Sequence, residues 1–343
     1  MLDTLRELCA LGGISGREQP VADYILKQLP SDDAVAQRDP MGNLLVHKQG
    51  RRRPAHRLMV CAHMDEVGLI VNYITPEGLL GFTGVGGIDT RVLLARQVLV
   101  GEKKIPGVIG MKPVHLTKPD ERANIPEVDD LYIDIGALDE QEARASVRLG
   151  DSVTFMPGVR ELGAEVLESK AIDDRLGCAV LLEMLREELP FDMDFAFTVQ
   201  EEVGTRGAHA AAYTIDPEFA IIVETTTAAD VVGVEAQDRV CEQGRGAVVP
   251  FMDRGTIYDR GLYELAFRTA AEHGIPIQTK TKVAGGNDAS SIHGSRAGVR
   301  CIAVSAPCRY LHSPGVTVRR TDAQAVLDLT RALAAEICRR EDV

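Results

Sequence analysis

Seven side chains in this 343-residue sequence are of types that hold metal ions or move protons, and they stand beside apolar runs: His63, Asp65, Asp173, Glu201, Glu202, Glu224 and His312. His63 follows LMVCA, Glu201 and Glu202 follow FAFTVQ, and Glu224 follows AIIV. Short apolar runs of this kind read as buried strands, so metal-type groups stand at the carboxyl ends of three strands, where open α/β sheets place their ligand sites. Asp173 and Asp174 come just before a helical pattern, and Asp288 lies in the Gly-rich stretch AGGNDASSIHG. Loops from distant parts of the chain are therefore expected to converge on one crevice.

Each element alone has a plainer explanation. A His at a strand end is more often a hydrogen-bonding partner than a ligand, and Asp65 and Glu66 could be ordinary loop acids. Asp173-Asp174-Arg175 could cap the following helix, because Asp there satisfies free amides and complements the dipole. His312, in the turn RYLHSPG, would be unremarkable by itself. The adjacent pair Glu201-Glu202 resists such a reading, since neighbouring carboxylates closing an apolar strand repel one another unless a cation lies between them.

Together the residues point to metal chemistry. One His, one carboxylate and a shared Asp for each of two ions make nitrogen-and-oxygen donor sets that suit zinc or cobalt and leave a position for water. Two such ions about 3.5–4 Å apart polarise a nucleophilic water and the carbonyl it attacks. A further carboxylate must then take the water's proton, and one of the Glu201-Glu202 pair is placed for it. Asp65, two residues past His63, could accept the other imidazole N–H. Residue types alone do not decide which Glu is the base or which acid bridges. A rival Cys/His zinc site from Cys61, His63, Cys308 and His312 matches no standard spacing and leaves the acids without a role.

The elements that must carry these groups alternate. Leu2, Leu5 and Leu8 share a helical face; Ser15 and Glu18 are spaced as a capping box for a second helix bearing Val21, Ile25 and Leu29. NLLVHK and RLMVCA read as neighbouring strands joined by the basic turn QGRRRPAH. Glycines punctuate short β-type runs between residues 71 and 162, which reads as a small β-rich insert. Beyond it come the helical IDDRLGCAVLLEMLREEL, the strands DFAFTVQ and FAIIVE, a helix near 259–273, the strands IPIQTK and VRCIAVS, and a closing helix with Val326, Leu329, Leu333 and Ile337 aligned. The fold class expected is α/β, a mixed sheet covered by helices on both faces, with segments 1–70 and 163–343 forming one discontinuous catalytic domain around the insert.

Bulk properties narrow the partners. Lys and Arg number 38 against 51 Asp and Glu, a formal charge of -13 that repels nucleic acid and anionic lipid. The seven cysteines are scattered without a CxxC, as expected of free thiols in a reducing cytoplasm, and neither a signal sequence nor a membrane-spanning run is recognisable. With no Trp and 4% aromatics the chain lacks the platforms of a sugar-binding cleft, which argues against a glycosidase built on Glu201 and a second acid.

AHMDEVG (62–68), KAIDDRLG (170–177), QEEVGTRGA (200–208), VETTTAAD (223–230), GGNDASSIH (285–293) and YLHSPGV (310–316) resemble, in the same order, the motifs of the tetrahedral aminopeptidases of metallopeptidase family forty-two. The resemblance spans nearly the whole chain. It implies that His63, Asp173 and Glu224 bind one metal and Asp173, Glu202 and His312 the other, with Asp173 bridging, Glu201 as general base and Asp65 behind His63. It implies two divalent ions per subunit, Zn2+ or Co2+, peptide substrates with a free N-terminus, and a homododecamer built from dimers through the insert at 71–162. Glu224 stands where many members carry Asp, and Asn287 where Thr is frequent. A related dinuclear amidohydrolase acting on N-acyl amino acids, or a metal-binding scaffold without activity, are the remaining expectations.

Overall fold

The computed structural model describes residues 1–30, 33–119 and 123–341; positions 31–32 and 342–343 of the expected catalytic segments and 120–122 of the expected insert lie outside them. In chain order the strands are β1 (Ala34–Arg38), β2 (Leu44–Lys48), β3 (Leu58–His63), β4 (Gly68–Ile74), β5 (Leu80–Val85), β6 (Gln97–Val100), β7 (Ile105–Met111), β8 (Leu131–Asp134), β9 (Ser152–Phe155), β10 (Arg160–Leu162), β11 (Val166–Ser169), β12 (Met193–Thr198), β13 (Phe219–Thr227), β14 (Ala247–Pro250), β15 (Ile277–Lys280), β16 (Arg300–Arg309) and β17 (Val316–Arg319). The helices are α1 (Leu2–Ala10), α2 (Gln19–Gln28), α3 (Glu140–Ser146), α4 (Ile172–Arg186), α5 (Arg206–Ile215), α6 (Arg260–His273), α7 (Ala289–Ile292) and α8 (Arg320–Arg339).

One mixed sheet runs β1-β2-β12-β3-β13-β16-β17-β11-β10, with β14 and β15 attached beside β16. Its centre is parallel: β3 lies between β12 and β13, and β13 runs parallel to β16. All six residues of β3 are buried, and because successive side chains point to opposite faces, both faces must be covered. Helix α4 packs on β3 and β13 together with α1 and α8, whereas α5 and α7 form a separate pair resting on β12, β13 and β16. This is the α/β architecture that the alternation of apolar periods implies.

The second unit is a closed six-stranded barrel, β4-β5-β8-β7-β6-β9. Leu69, Val71, Leu80, Phe82, Val98, Val100, Ile133 and Val153 fill it, a core separate from that of the main sheet. Period-two burial in β6 and β9 gives this inward face. The barrel strands begin at Gly68 and end at Phe155, so the edges differ from the expected 71–162: Arg160–Leu162 pairs with β11 in the main sheet. Hydropathy could not mark that return, because β10 is exposed along its length.

Three local expectations are corrected. β2 and β3 are not neighbours, because β12 is inserted between them, antiparallel to β2 and parallel to β3. The capping box does not form: Glu18 precedes α2 with helical backbone angles and no capping bond. The Glu18 carboxylate instead accepts the Gly16 and Gln200 amides, and the Ser15 hydroxyl donates to the buried Asp65 carboxylate, a charge-assisted bond. Glu224 does not close its strand, since β13 continues to Thr227 alongside β16 after its pairing with β3 stops at Ile222. From within the strand the Glu224 side chain faces His63 at 3.7 Å.

Candidate metal centre

The geometry is set by strand ends. His63 is the last residue of β3, and the chain then passes through Met64–Val67 into the barrel. Its Nδ1–H donates to the Asp65 carbonyl at 3.0 Å, which leaves Nε2 facing Asp173 Oδ1 at 3.3 Å and Glu224 Oε1 at 3.7 Å. His312, in the left-handed backbone region after β16, donates from Nδ1 to the Gly87 carbonyl at 2.7 Å. Its Nε2 faces Asp173 Oδ2 at 3.5 Å and Glu202 Oε2 at 3.2 Å. Asp173 thus offers one oxygen to each imidazole. His63, Asp173 and Glu224 form one group, and Asp173, Glu202 and His312 a second, whose ligand atoms lie within 4.8 Å of one another.

A divalent cation suits this arrangement. With each Nδ1 proton committed to a carbonyl, a neutral imidazole presents a lone pair at Nε2, and a lone pair facing carboxylate oxygens calls for a positive charge between them. Glu202 Oε1 is buried with no hydrogen-bond partner. The charge balance agrees. Burial pushes the Glu202 carboxyl up to about 8, with Asp173 adding to it, and pushes Glu224 to about 7. Glu201 is raised well above the usual carboxylate range by burial and then by Glu224, Asp288 and Glu202. For the histidines burial acts downward but is outweighed, by Glu224 and Asp173 for His63, which is raised, and by Asp173 and Glu202 for His312, which reaches about 9. Acids made reluctant to ionise beside imidazoles made eager to protonate indicate a surplus of negative charge that a dication would neutralise.

Asp65 does more than stand behind His63. Its Oδ2 accepts the Ser15 hydroxyl at 2.6 Å and the Glu202 amide at 3.1 Å; its Oδ1 accepts the Glu201 amide at 3.0 Å and lies 3.5 Å from His63 Nδ1. Asp174, fully buried beside Asp173, accepts the Gly177 amide at 2.9 Å. Asp288 reaches the crevice as its Gly-rich stretch suggested, accepting the Thr198 hydroxyl at 2.6 Å. Asn287 accepts the Ala289 amide and donates to the Tyr258 hydroxyl, so it holds the start of α7. Cys61 and Cys308 are buried, and among the described residues no cysteine joins either ligand group, against the Cys/His alternative.

Some contributors had no usable sequence signal. Gly87, one of many barrel glycines, supplies the carbonyl that orients His312; neighbouring Gly86 has φ +80, and a Cβ there would stand 3.3 Å from that of Glu202. A cavity of about 550 Å3 opens beside His312, between Gly87, Val92 and Arg96 of the barrel and Tyr310–Gly315. A larger one of about 790 Å3, between Gly12–Asp23 and the barrel, contains none of the ligand residues.

Comparison with known proteins identifies the family. Residues 42–329 match the model of the M42 glutamyl aminopeptidase family. The glutamyl aminopeptidase of Lactococcus lactis is 30% identical over 326 residues, covering 91% of this chain and 90% of its own. An aminopeptidase structure from Desulfurococcus kamchatkensis superposes with a TM-score of 0.92 at 34% identity over 97% of this chain and 94% of its own. The Pyrococcus horikoshii TET1 peptidase, which assembles into a tetrahedron or a large octahedral shell, superposes with a TM-score of 0.86 at 34% identity over 98% and 99%. Sequence, fold and the paired ligand groups lead to one assignment: the chain belongs to the M42 glutamyl aminopeptidases, a family of metal-dependent hydrolases.

Proposed function

We propose that the protein removes the N-terminal residue from short peptides at a dinuclear centre that His63, Asp173 and Glu224 on one side and Asp173, Glu202 and His312 on the other would hold, Asp173 being common to both sets. The observation that carries the reading is the pair of imidazole Nε2 atoms facing opposite oxygens of one Asp. Two zinc or cobalt ions bound there supply Lewis-acid polarisation of the scissile carbonyl and a water acidic enough to be deprotonated near neutral pH. Glu201 takes the proton of the attacking water and delivers it to the leaving amine. Asp65 keeps His63 and the Glu201-Glu202 backbone in place. The cavity beside His312 gives the remainder of the peptide room.

The fit to a shell-forming peptidase supports a homododecamer built from dimers, with the barrel as the dimerising unit of an insert between segments 1–70 and 163–343. Among the described residues no helix is long and apolar enough to cross a membrane, and seven unpaired cysteines suit a reducing cytoplasm.

The test is a panel of aminoacyl-anilides against N-acyl amino acids, with zinc or cobalt and with chelator. Glu201→Gln should abolish anilide turnover while bound metal stays constant. Persistent turnover would remove Glu201 from the base role, and loss of metal would exchange it with Glu202. Preferential cleavage of N-acyl amino acids would replace the aminopeptidase by an amidohydrolase.

A further inference from the structure

After Thr198 the chain leaves the β12 ladder, and four consecutive amides, from Val199 to Glu202, must find acceptors elsewhere. All four are taken by side chains. The Val199 amide donates to Asn43 Oδ1 at 3.0 Å, Gln200 to Glu18 Oε1 at 3.1 Å, and Glu201 and Glu202 to the two oxygens of Asp65 at 3.0 and 3.1 Å. These acceptors come from three separate parts of the chain: the approach to α2, the residue before β2, and the loop after β3. Gln200 sits in the left-handed region at φ +57, a conformation that costs a non-glycine residue energy and persists only where its surroundings enforce it. Glu18 is 6% exposed, and its Oε1 also accepts the Gly16 amide at 2.7 Å. Asn43 is fully buried and ties itself down by donating to the Gly207 carbonyl at 2.9 Å and to Asp39.

We infer that Glu18 and Asn43 are positioning residues for catalysis, acting through the 199–202 turn to hold the Glu201 carboxylate where it meets the nucleophilic water. This rests on the proposed role of Glu201 as base. Glu18 bonds the residue immediately before Glu201 and touches no metal ligand, so it governs the aim of the base while the ligand groups stay assembled. Misplacing a reacting group by 1 Å costs on the order of 100-fold in rate.

The experiment uses the full-length metal-loaded enzyme, with kcat, KM, bound metal per subunit and melting temperature measured for each variant. Glu18→Ala should lower kcat by roughly 10- to 100-fold, with KM within about twofold and metal content unchanged. Glu18→Gln keeps an oxygen that accepts both amides and should restore most of kcat, whereas Glu18→Met, which fills the same space without an acceptor, should behave as Glu18→Ala if alanine prevents folding. A Glu18→Met enzyme with wild-type kcat, a Gln variant as impaired as Met, or a rate loss that tracks lost metal would each overturn the inference. An inactive wild type would instead overturn the aminopeptidase reading itself.

Discussion

Removing Lys170 tests how the N-terminal segment is fastened behind the candidate metal centre. Its side chain is 1% exposed, and Nζ donates to both oxygens of Glu66 at 2.8 and 2.9 Å and to the Leu11 carbonyl at 2.8 Å. Glu66, itself 3% exposed, also accepts the Gly13 amide at 3.1 Å and lies 3.6 Å from Arg175. Lys170→Met keeps most of the stem volume but leaves the Leu11 carbonyl without its donor and Glu66 with only Arg175 for charge. Breaking one side of a buried pair costs about 3–5 kcal/mol, because the remaining charge stays buried. At a few degrees per kcal/mol for a domain of this size, the melting temperature should fall by roughly 10 °C. A scanning-calorimetry series at fixed protein and metal concentration would measure this, with the double variant Lys170→Met, Glu66→Met closing the cycle. Removing both charges should recover part of the loss, because the uncompensated Glu66 charge is gone, while Arg175 and the Gly13 amide lose their acceptor. A shift of only a degree or two for Lys170→Met, or a double variant less stable than the single one, would refute the reasoning.

Gly86→Ala should impair the centre through sterics: φ +80 disfavours any side chain, and the new Cβ would stand 2.8 Å from Val67 and 3.3 Å from Glu202, so anilide activity and bound metal should fall together. The cysteine thiols should be silent in the native state. Burial raises Cys9 to about 11 and Cys241, Cys301 and Cys338 to about 12, so a thiol reagent at pH 8 should label the protein only after denaturation. In the unfolded chain the same groups ionise near 9; their stabilising contribution is therefore complete below that pH and lost progressively as pH rises towards the folded values, which a series of melting temperatures from pH 8 to 10.5 would register.

What the sequence determined by itself was local and periodic. Near-continuous apolar runs at LMVCA and AIIV identified buried strands, because only a strand covered on both faces can bury every residue. Acids and histidines at the ends of those runs, and a pair of adjacent glutamates that repel without a cation, pointed to a candidate metal centre before any coordinate. Tertiary structure decided what depends on partners remote along the chain. β12 entered between β2 and β3, and Arg160–Leu162 returned to the main sheet, because pairing is chosen by neighbours that hydropathy does not name. Ser15 and Glu18 carry the spacing of a capping box, yet the Asp65 carboxylate and the Gly16 and Gln200 amides took them as partners in place of the helix end. Gly87 gained its place at His312 through its backbone carbonyl, a group that every residue type possesses and that no side-chain pattern can announce.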